Sequence, residues 1–292
     1  MTRWQTYHLA DSVTDALVAL SNAPGPACII GGGTDLLLDI EQGRHAPVHT
    51  LVDVTRIVEM TAVEKQEDGI FVGAAVPLSR LVDSPLLAEH VPALVEACAL
   101  IGGPQVRNTA TLGGNVAHAL PAGDGAIALI ALDAKAEIAS TGGRRLLPVA
   151  DLYRGPGQSA LHPTADLLVG FHLARRGSGE ASAFRRVMRP QGVAIAILNM
   201  GVWLRRSGGV IASIRLAAGP AGPTPRRLRQ TEATLSGQAP TSAALDAALD
   251  ALLAETRFRT SPHRASAAYR RHLAGVLLHE TMLAAWEQTP AD

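Results

Sequence analysis

The chain has 292 residues, of which 47% are hydrophobic and 18% charged, enough for more than one compact unit with a core of its own. Its 26 basic and 26 acidic residues cancel, so no global field draws it to nucleic acid or to an anionic membrane. Cys28 and Cys98 are the only cysteines, which excludes a disulfide framework, a cysteine-rich zinc site and an iron–sulfur cluster held by this chain.

The opening MTRWQTYHLA lacks the apolar stretch of a signal peptide, and no apolar run reaches the roughly 18 residues of a membrane span. A cytoplasmic location without a membrane span is expected. Ser12, with Asp15 three positions on and Leu17, Val18 and Leu20 behind it, predicts a capped first helix. PACIIGGG reads as a short buried strand that ends in a glycine turn, LLLDIEQG as a brief helix or irregular turn, and HTLVDV as the next strand. GIFVGAAV is a strand candidate, and the segment from Pro77 to Gly102 reads as two helices split near Pro92.

Residues 102–126, GGPQVRNTATLGGNVAHALPAGDGA, are glycine-rich with little periodicity. Loops of that length inside a compact domain are usually functional. An apolar stretch, a turn at Gly142–Gly143 and the strand candidate ADLLVGFHL follow. RRGSGEAS at 175–182 is the best linker. Beyond it, VAIAILNMGVWLRR, Gly208–Gly209 and VIASIRLAAG read as a β-hairpin. The proline-rich PAGPTPRR leads to two helices, the second with Ser261 as N-cap and Pro262 at its first position.

Several kinds of chemistry are absent. No Gly-Lys-Ser/Thr follows the triple glycine, and a dinucleotide fingerprint would need glycine where Leu36 stands. Pro47 between His45 and His49 argues against a metal-binding helix, and GQSAL around Ser159 lacks the second glycine of a nucleophile elbow. No catalytic triad and no metal cluster is found.

What remains is a pair of glycine loops, Gly31–Gly33 and Gly113–Gly114, each trailed by polar residues. N–H groups of a glycine-rich turn can converge on one anion, and the missing Cβ lets a pyrophosphate come close. Thr34, Asp35, Thr111 and Asn115 add side-chain donors and acceptors at the same places, so the two loops are candidates to clamp a diphosphate; ordinary turns are the alternative. Asp124, in PAGD, suits a bond to ribose or ribityl hydroxyls, or else caps the helix that follows.

The order IIGGGTDLLL, IGGPQVRNTATLGGNVAHALPAGD, SAFRRVMRP and YRRHLAGVLL resembles the FAD-binding medium subunit of molybdenum hydroxylases, a family that includes the flavoproteins of carbon monoxide, nicotinate and xanthine dehydrogenases. The resemblance covers essentially the whole chain and is most specific from Ile101 to Asp124.

It implies an α+β fold: a two-subdomain FAD-binding module of the vanillyl-alcohol-oxidase (PCMH) type, then a C-terminal domain with a small antiparallel sheet and helices. The expected divisions are residues 1–55, 56–174 and 183–290. By resemblance, Ile29, Ile30, Gly31, Gly32, Gly33, Thr34, Asp35 and Leu36 form the first pyrophosphate loop. Ala110, Thr111, Gly113, Gly114 and Asn115 belong to the second. Ile101 packs on the adenine, Ala122, Gly123 and Asp124 lie at the ribityl or ribose, and Leu168 and Val169 lie near the isoalloxazine. Where relatives carry a lysine near the flavin's pyrimidine edge, this chain offers Arg185 or Arg186, and either aligns. Arginine is no simple substitute for lysine.

The resemblance further implies non-covalent FAD in an electron-transfer oxidoreductase subunit with no catalytic acid, base or nucleophile. Molybdenum–pterin would sit on a large partner subunit and two-iron clusters on a small one, in a dimer of heterotrimers. Electrons would pass from those clusters through FAD to NAD, oxygen, a quinone or another acceptor. A stand-alone flavin oxidase is the alternative reading, although the chain lacks the substrate-cap sequence of such enzymes.

Overall fold

The computed structural model describes residues 4–189 and 195–290; positions 193 and 194, where the predicted hairpin begins, lie outside them. Strand β1 (Thr6–Leu9) precedes α1 (Val13–Ser21), whose N-cap Ser12 accepts the Asp15 N–H at 3.0 Å. Then come β2 (Ala27–Ile30), α2 (Leu36–Glu41) and β3 (Thr50–Asp53). The three strands form one parallel sheet in the order β1-β3-β2, so the glycine turn leaves from a sheet edge.

Next are β4 (Val63–Gln66), β5 (Gly69–Gly73), α3 (Leu78–Val82), α4 (Pro85–His90) and α5 (Pro92–Leu100). The two predicted helices are thus three, because Pro85 and Pro92 each open a helix, where a missing N–H leaves no bond unmade. The segment read as irregular contains α6 (Pro104–Arg107), α7 (Leu112–Ala117) and the start of α8 (Asp124–Ala131). These turns are too short to show a helical period in sequence.

Strands β6 (Lys135–Ser140), β7 (Gly143–Pro148), the short pair β8 (Tyr153–Gly155) and β9 (Gln158–Ser159), and β10 (Leu167–Leu173) follow. An antiparallel five-stranded sheet results, β4-β5-β10-β6-β7, with β10 at its centre. Its central position explains the continuous apolar run: both faces are covered.

Past the linker, β11 (Glu180–Val187), β12 (Leu198–Ser207), β13 (Val210–Gly219) and β14 (Arg226–Arg227) form an antiparallel four-stranded sheet. Helices α9 (Arg229–Leu235), α10 (Ser242–Glu255) and α11 (Ala267–Glu287) complete the chain. The last helix is capped by Ser266, which accepts the Tyr269 N–H at 3.1 Å, rather than by Ser261. Ser261 instead closes a tight turn with Ala265.

One core runs from Ala10 through the five-stranded sheet and takes in Phe184 and Ala217 from the last sheet. A second lies between that sheet and α10 and α11. The last sheet therefore has two covered faces, one on α5 and α8, the other on α11. Polar ties cross the same seam: Ala93 N–H to Ser182 Oγ at 3.3 Å, and Phe184 N–H to Glu96 Oε2 at 2.6 Å.

Candidate functional site

The turn after β2 holds half-buried Gly31, Gly32 and Gly33. None of the N–H groups of Gly31 through Asp35 finds an acceptor among the described residues. Such a run of unpaired donors ahead of a helix is an anion-binding arrangement. Asp35 stands at the N-cap of α2 without a side-chain cap bond, and Leu36 starts the helix. Ile30 is buried with Val48 and Leu51 in a small core, whereas half-buried Ile29 packs against the first, larger core.

The second loop lies directly against the first. A Cβ on Gly32 would stand 2.0 Å from the Thr109 carbonyl oxygen and 2.7 Å from Ala110 Cα. One on Gly31 would meet Thr111 Oγ1 at 3.0 Å. The bare backbone is thus needed for the contact between loops. Gly33 has φ +67, the left-handed region that favours glycine.

Ala110 gives its carbonyl to the Leu78 N–H at 2.9 Å, which fixes the second loop on α3. Thr111 is the N-cap of α7 and accepts the Gly114 N–H at 3.1 Å. Gly113 donates to the Ala74 carbonyl at 2.9 Å, and a Cβ there would sit 2.6 Å from Ala74. Gly114 is exposed, with only Thr111 Oγ1 near its missing Cβ. Asn115 Oδ1 accepts the Ala126 N–H at 3.3 Å and so joins α7 to the start of α8.

Ile101 ends α5, half-buried, and Arg107 Nη1 donates to the carbonyls of Ile101 and Gly102 at 3.2 and 2.7 Å. Leu168 and Val169 are buried in the first core at a register shift of β10, where the Val169 carbonyl takes the Ala74 N–H at 2.8 Å.

Asp124 does not cap its helix. Gly123 holds the N-cap position, and Asp124 is the first helical residue. Its carboxylate binds Arg186 Nη1 and, at 2.6 Å, Asn199 Nδ2. Burial lifts this carboxyl above its usual range, against the opposing pull of Arg186 and Asn199. Burial also pushes up the Cys98 thiol, aided by the charge of Asp124. Arg185 turns elsewhere: its Nη1 reaches Glu96 Oε2 at 3.1 Å. The two arginines are neighbours on β11, and only Arg186 reaches Asp124.

Residues 2–174 match the FAD binding domain in molybdopterin dehydrogenase, and residues 182–285 match the CO dehydrogenase flavoprotein C-terminal domain. The chain belongs to the FAD-binding medium subunits of the molybdenum hydroxylases. This medium subunit is 32% identical over 276 residues to the xanthine dehydrogenase FAD-binding subunit of Escherichia coli O157:H7, covering 94% of this chain and 93% of that one. It is 30% identical over 280 residues to the carbon monoxide dehydrogenase medium chain of Hydrogenophaga pseudoflava, with 96% of each covered. Among solved structures it superimposes on a carbon monoxide dehydrogenase from Hydrogenophaga pseudoflava with TM-score 0.92 and 29% identity over 98% of both chains. The quinoline 2-oxidoreductase of Pseudomonas putida 86 gives TM-score 0.89 and 25% identity over 97% of both.

The α+β fold expected from sequence is that of the family, and as a medium subunit the chain is an FAD-binding oxidoreductase component. The first loop fits the group: unpaired N–H donors suit a diphosphate. Among the described residues no group of three or more His, Cys, Asp or Glu side chains could hold a metal ion, and no helix is long and apolar enough to cross a membrane. Asn199 was not singled out from sequence. A lone asparagine in the apolar run AILNMGVWL is the signal that marks it, because a buried amide needs partners.

Proposed function

We propose that this chain is the electron-transfer subunit of a molybdenum hydroxylase complex, holding FAD non-covalently between a small iron–sulfur subunit and a terminal acceptor. The run of unpaired N–H groups from Gly31 to Asp35, set against the Thr109–Thr111 backbone, carries this reading. When bound, FAD accepts electrons singly and releases them in pairs, which links one-electron iron–sulfur chemistry to a two-electron acceptor.

The chain's own residues bind and orient. Gly31, Gly32, Gly33, Thr34 and Asp35 offer N–H groups to the pyrophosphate, and Ile29, Ile30 and Leu36 seat that turn. The Thr111 hydroxyl, the exposed Gly114 and the Asn115 amide face it from the second loop, with Ala110 and Gly113 anchoring them to α3 and β5. Ile101 gives the adenine an apolar contact without stacking. Ala122, Gly123, Asp124, Leu168, Val169 and Arg186 shape the flavin end, and of the two candidate arginines Arg186 takes the place of the family's lysine. Residues 1–55 and 56–174 are the proposed FAD-binding subdomains, and 183–290 the C-terminal domain.

The proposed partners are a molybdenum–pterin large subunit and a small subunit with two-iron clusters, in a dimer of heterotrimers in the cytoplasm. NAD, oxygen or a quinone is the class of terminal acceptor. Purification with the products of neighbouring genes tests the assignment. Flavin released by acid, together with molybdenum and iron in the same particle, is the expected result. A colourless chain that binds no FAD at micromolar concentration overturns it, and a yellow chain that oxidises a small substrate alone favours a stand-alone oxidase.

A further inference from the structure

One charged cluster is sealed from solvent and shared by both halves of the chain. Asp124 opens α8, Arg186 lies near the end of β11, and Asn199 lies opposite it in the register of β12. The Asp124 and Arg186 side chains are 6% and 5% exposed, and Asn199 is 0% exposed. Asn199 Nδ2 donates to Asp124 Oδ1 at 2.6 Å and also to the Ala122 carbonyl at 3.2 Å. One amide thus spans the turn that launches α8.

The cluster is poorly built as a device for stability. Arg186 Nε and Asn199 Oδ1 are buried without a partner among the described residues, and unmet polar atoms oppose folding. A buried ion pair is also often matched or exceeded by apolar side chains of the same volume. Each carboxylate oxygen of Asp124 accepts one hydrogen bond, from Arg186 or from Asn199. What the cluster does fix is position. The 122–124 turn is held from the C-terminal sheet, and Asn115 carries that constraint from the start of α8 into α7.

We infer that Asn199 is a positioning residue for the cofactor site: it clamps the 122–124 turn against Arg186 and so sets the second loop for FAD. The inference rests on the FAD-binding reading above. In it, Asn199 acts on FAD through Asp124 and the 122–124 turn, so a strand of the C-terminal sheet helps to set the flavin site.

The test uses the full chain, loaded with FAD and stripped of it, and compares wild type with Asn199→Leu, Asn199→Asp and Asn199→Ser. FAD affinity is read by flavin fluorescence, flavin potential by spectroelectrochemistry, and the melting temperature on the stripped protein. Asn199→Leu, which removes both hydrogen bonds at similar volume, is expected to weaken FAD binding at least tenfold, to shift the potential, and to lower the melting temperature of the stripped protein, because Asp124 Oδ1 and the Ala122 carbonyl lose their donor. Asn199→Asp, which sets a second carboxyl against Asp124, weakens binding further. Asn199→Ser, which keeps a donor with less reach, falls between wild type and the leucine variant, and it carries the test if the leucine variant does not fold. Affinity within threefold of wild type and an unchanged potential, whatever the melting temperature, overturns the inference while leaving FAD binding in place. A wild-type chain that binds no FAD overturns both.

Discussion

Two glycine loops that look alike in sequence do different physical work. In the first, the N–H groups of Gly31 to Gly33 have no acceptor among the described residues, and the missing Cβ atoms let the turn lie on the Thr109–Ala110 backbone. In the second, Gly113 and Gly114 have spent their N–H groups on Ala74 and Thr111. Gly113 is there for close packing on the end of β5, and Gly114 alone stands open. Paired glycines therefore report that a side chain is missing. Whether backbone, solvent or a phosphate fills the space is decided by what the fold brings up beside them.

The largest expected effect is that of Gly32→Val. Its Cβ has no room beside the Thr109 carbonyl, so the loops must part, at a cost of about 3 kcal/mol or more. Thermal melting should fall by several degrees and FAD retention should be lost. A normal melting temperature with flavin loss alone would mean that the loops are not in contact.

Gly114→Val separates the two roles. Only Thr111 Oγ1, at 3.2 Å, lies near the new Cβ, so stability should change by no more than about 1 kcal/mol. FAD affinity should nevertheless fall at least tenfold by fluorescence titration. Unchanged affinity would remove the second loop from the clamp and leave it a helix start.

Gly33→Ala is milder. The left-handed backbone at φ +67 and the Ile30 and Leu37 methyls beside it cost about 1–2 kcal/mol in denaturant unfolding. Flavin affinity should drop less than in the valine variants. A loss as large as theirs would show that the N–H directions depend on this one dihedral.

The smallest effect lies away from both loops and calibrates them. Burial raises the Glu137 carboxyl, but hydrogen bonds from His172 and Arg144 outweigh it and hold the group below its usual 4.5. A lowered folded value means that the ionised group's stabilisation is present above that usual value and fades as pH falls through the lowered one. Glu137→Gln should flatten this acid limb of the stability profile by about 1 kcal/mol or less, with flavin affinity at pH 7 unchanged. A loss of affinity there would show the loops to be coupled to the far edge of the sheet.

The parts of the fold set by local chemistry were legible. The Ser12 cap, the strand into the triple glycine and the hairpin at Gly208–Gly209 each depend on neighbours within a few residues. Strands β1 and β4 were not, because TYHL and VEKQ are short and mostly half-buried or exposed, with no alternation to betray them. At the site the motifs stood out, but their geometry did not. That Gly32 meets Thr109, and that Arg186 rather than Arg185 meets Asp124, follows from long-range packing and strand register. Asn199 escaped for the same reason: its partners, Ala122 and Asp124, lie in the other half of the chain.

The stretch at 175–182 has the composition of a tether, and residues 177 and 178 are exposed. Phe184 and Ala217, beyond it, nonetheless belong to the core that begins at Ala10. A protease that nicks the chain at Gly177 should leave two fragments that travel together on a sizing column and separate only in denaturant. Residues 1–174 expressed alone would bare the faces of α5 and α8 that the last sheet covers, and should precipitate. The boundary between the two matched domains is thus a punctuation mark in the sequence, not a place where the molecule comes apart.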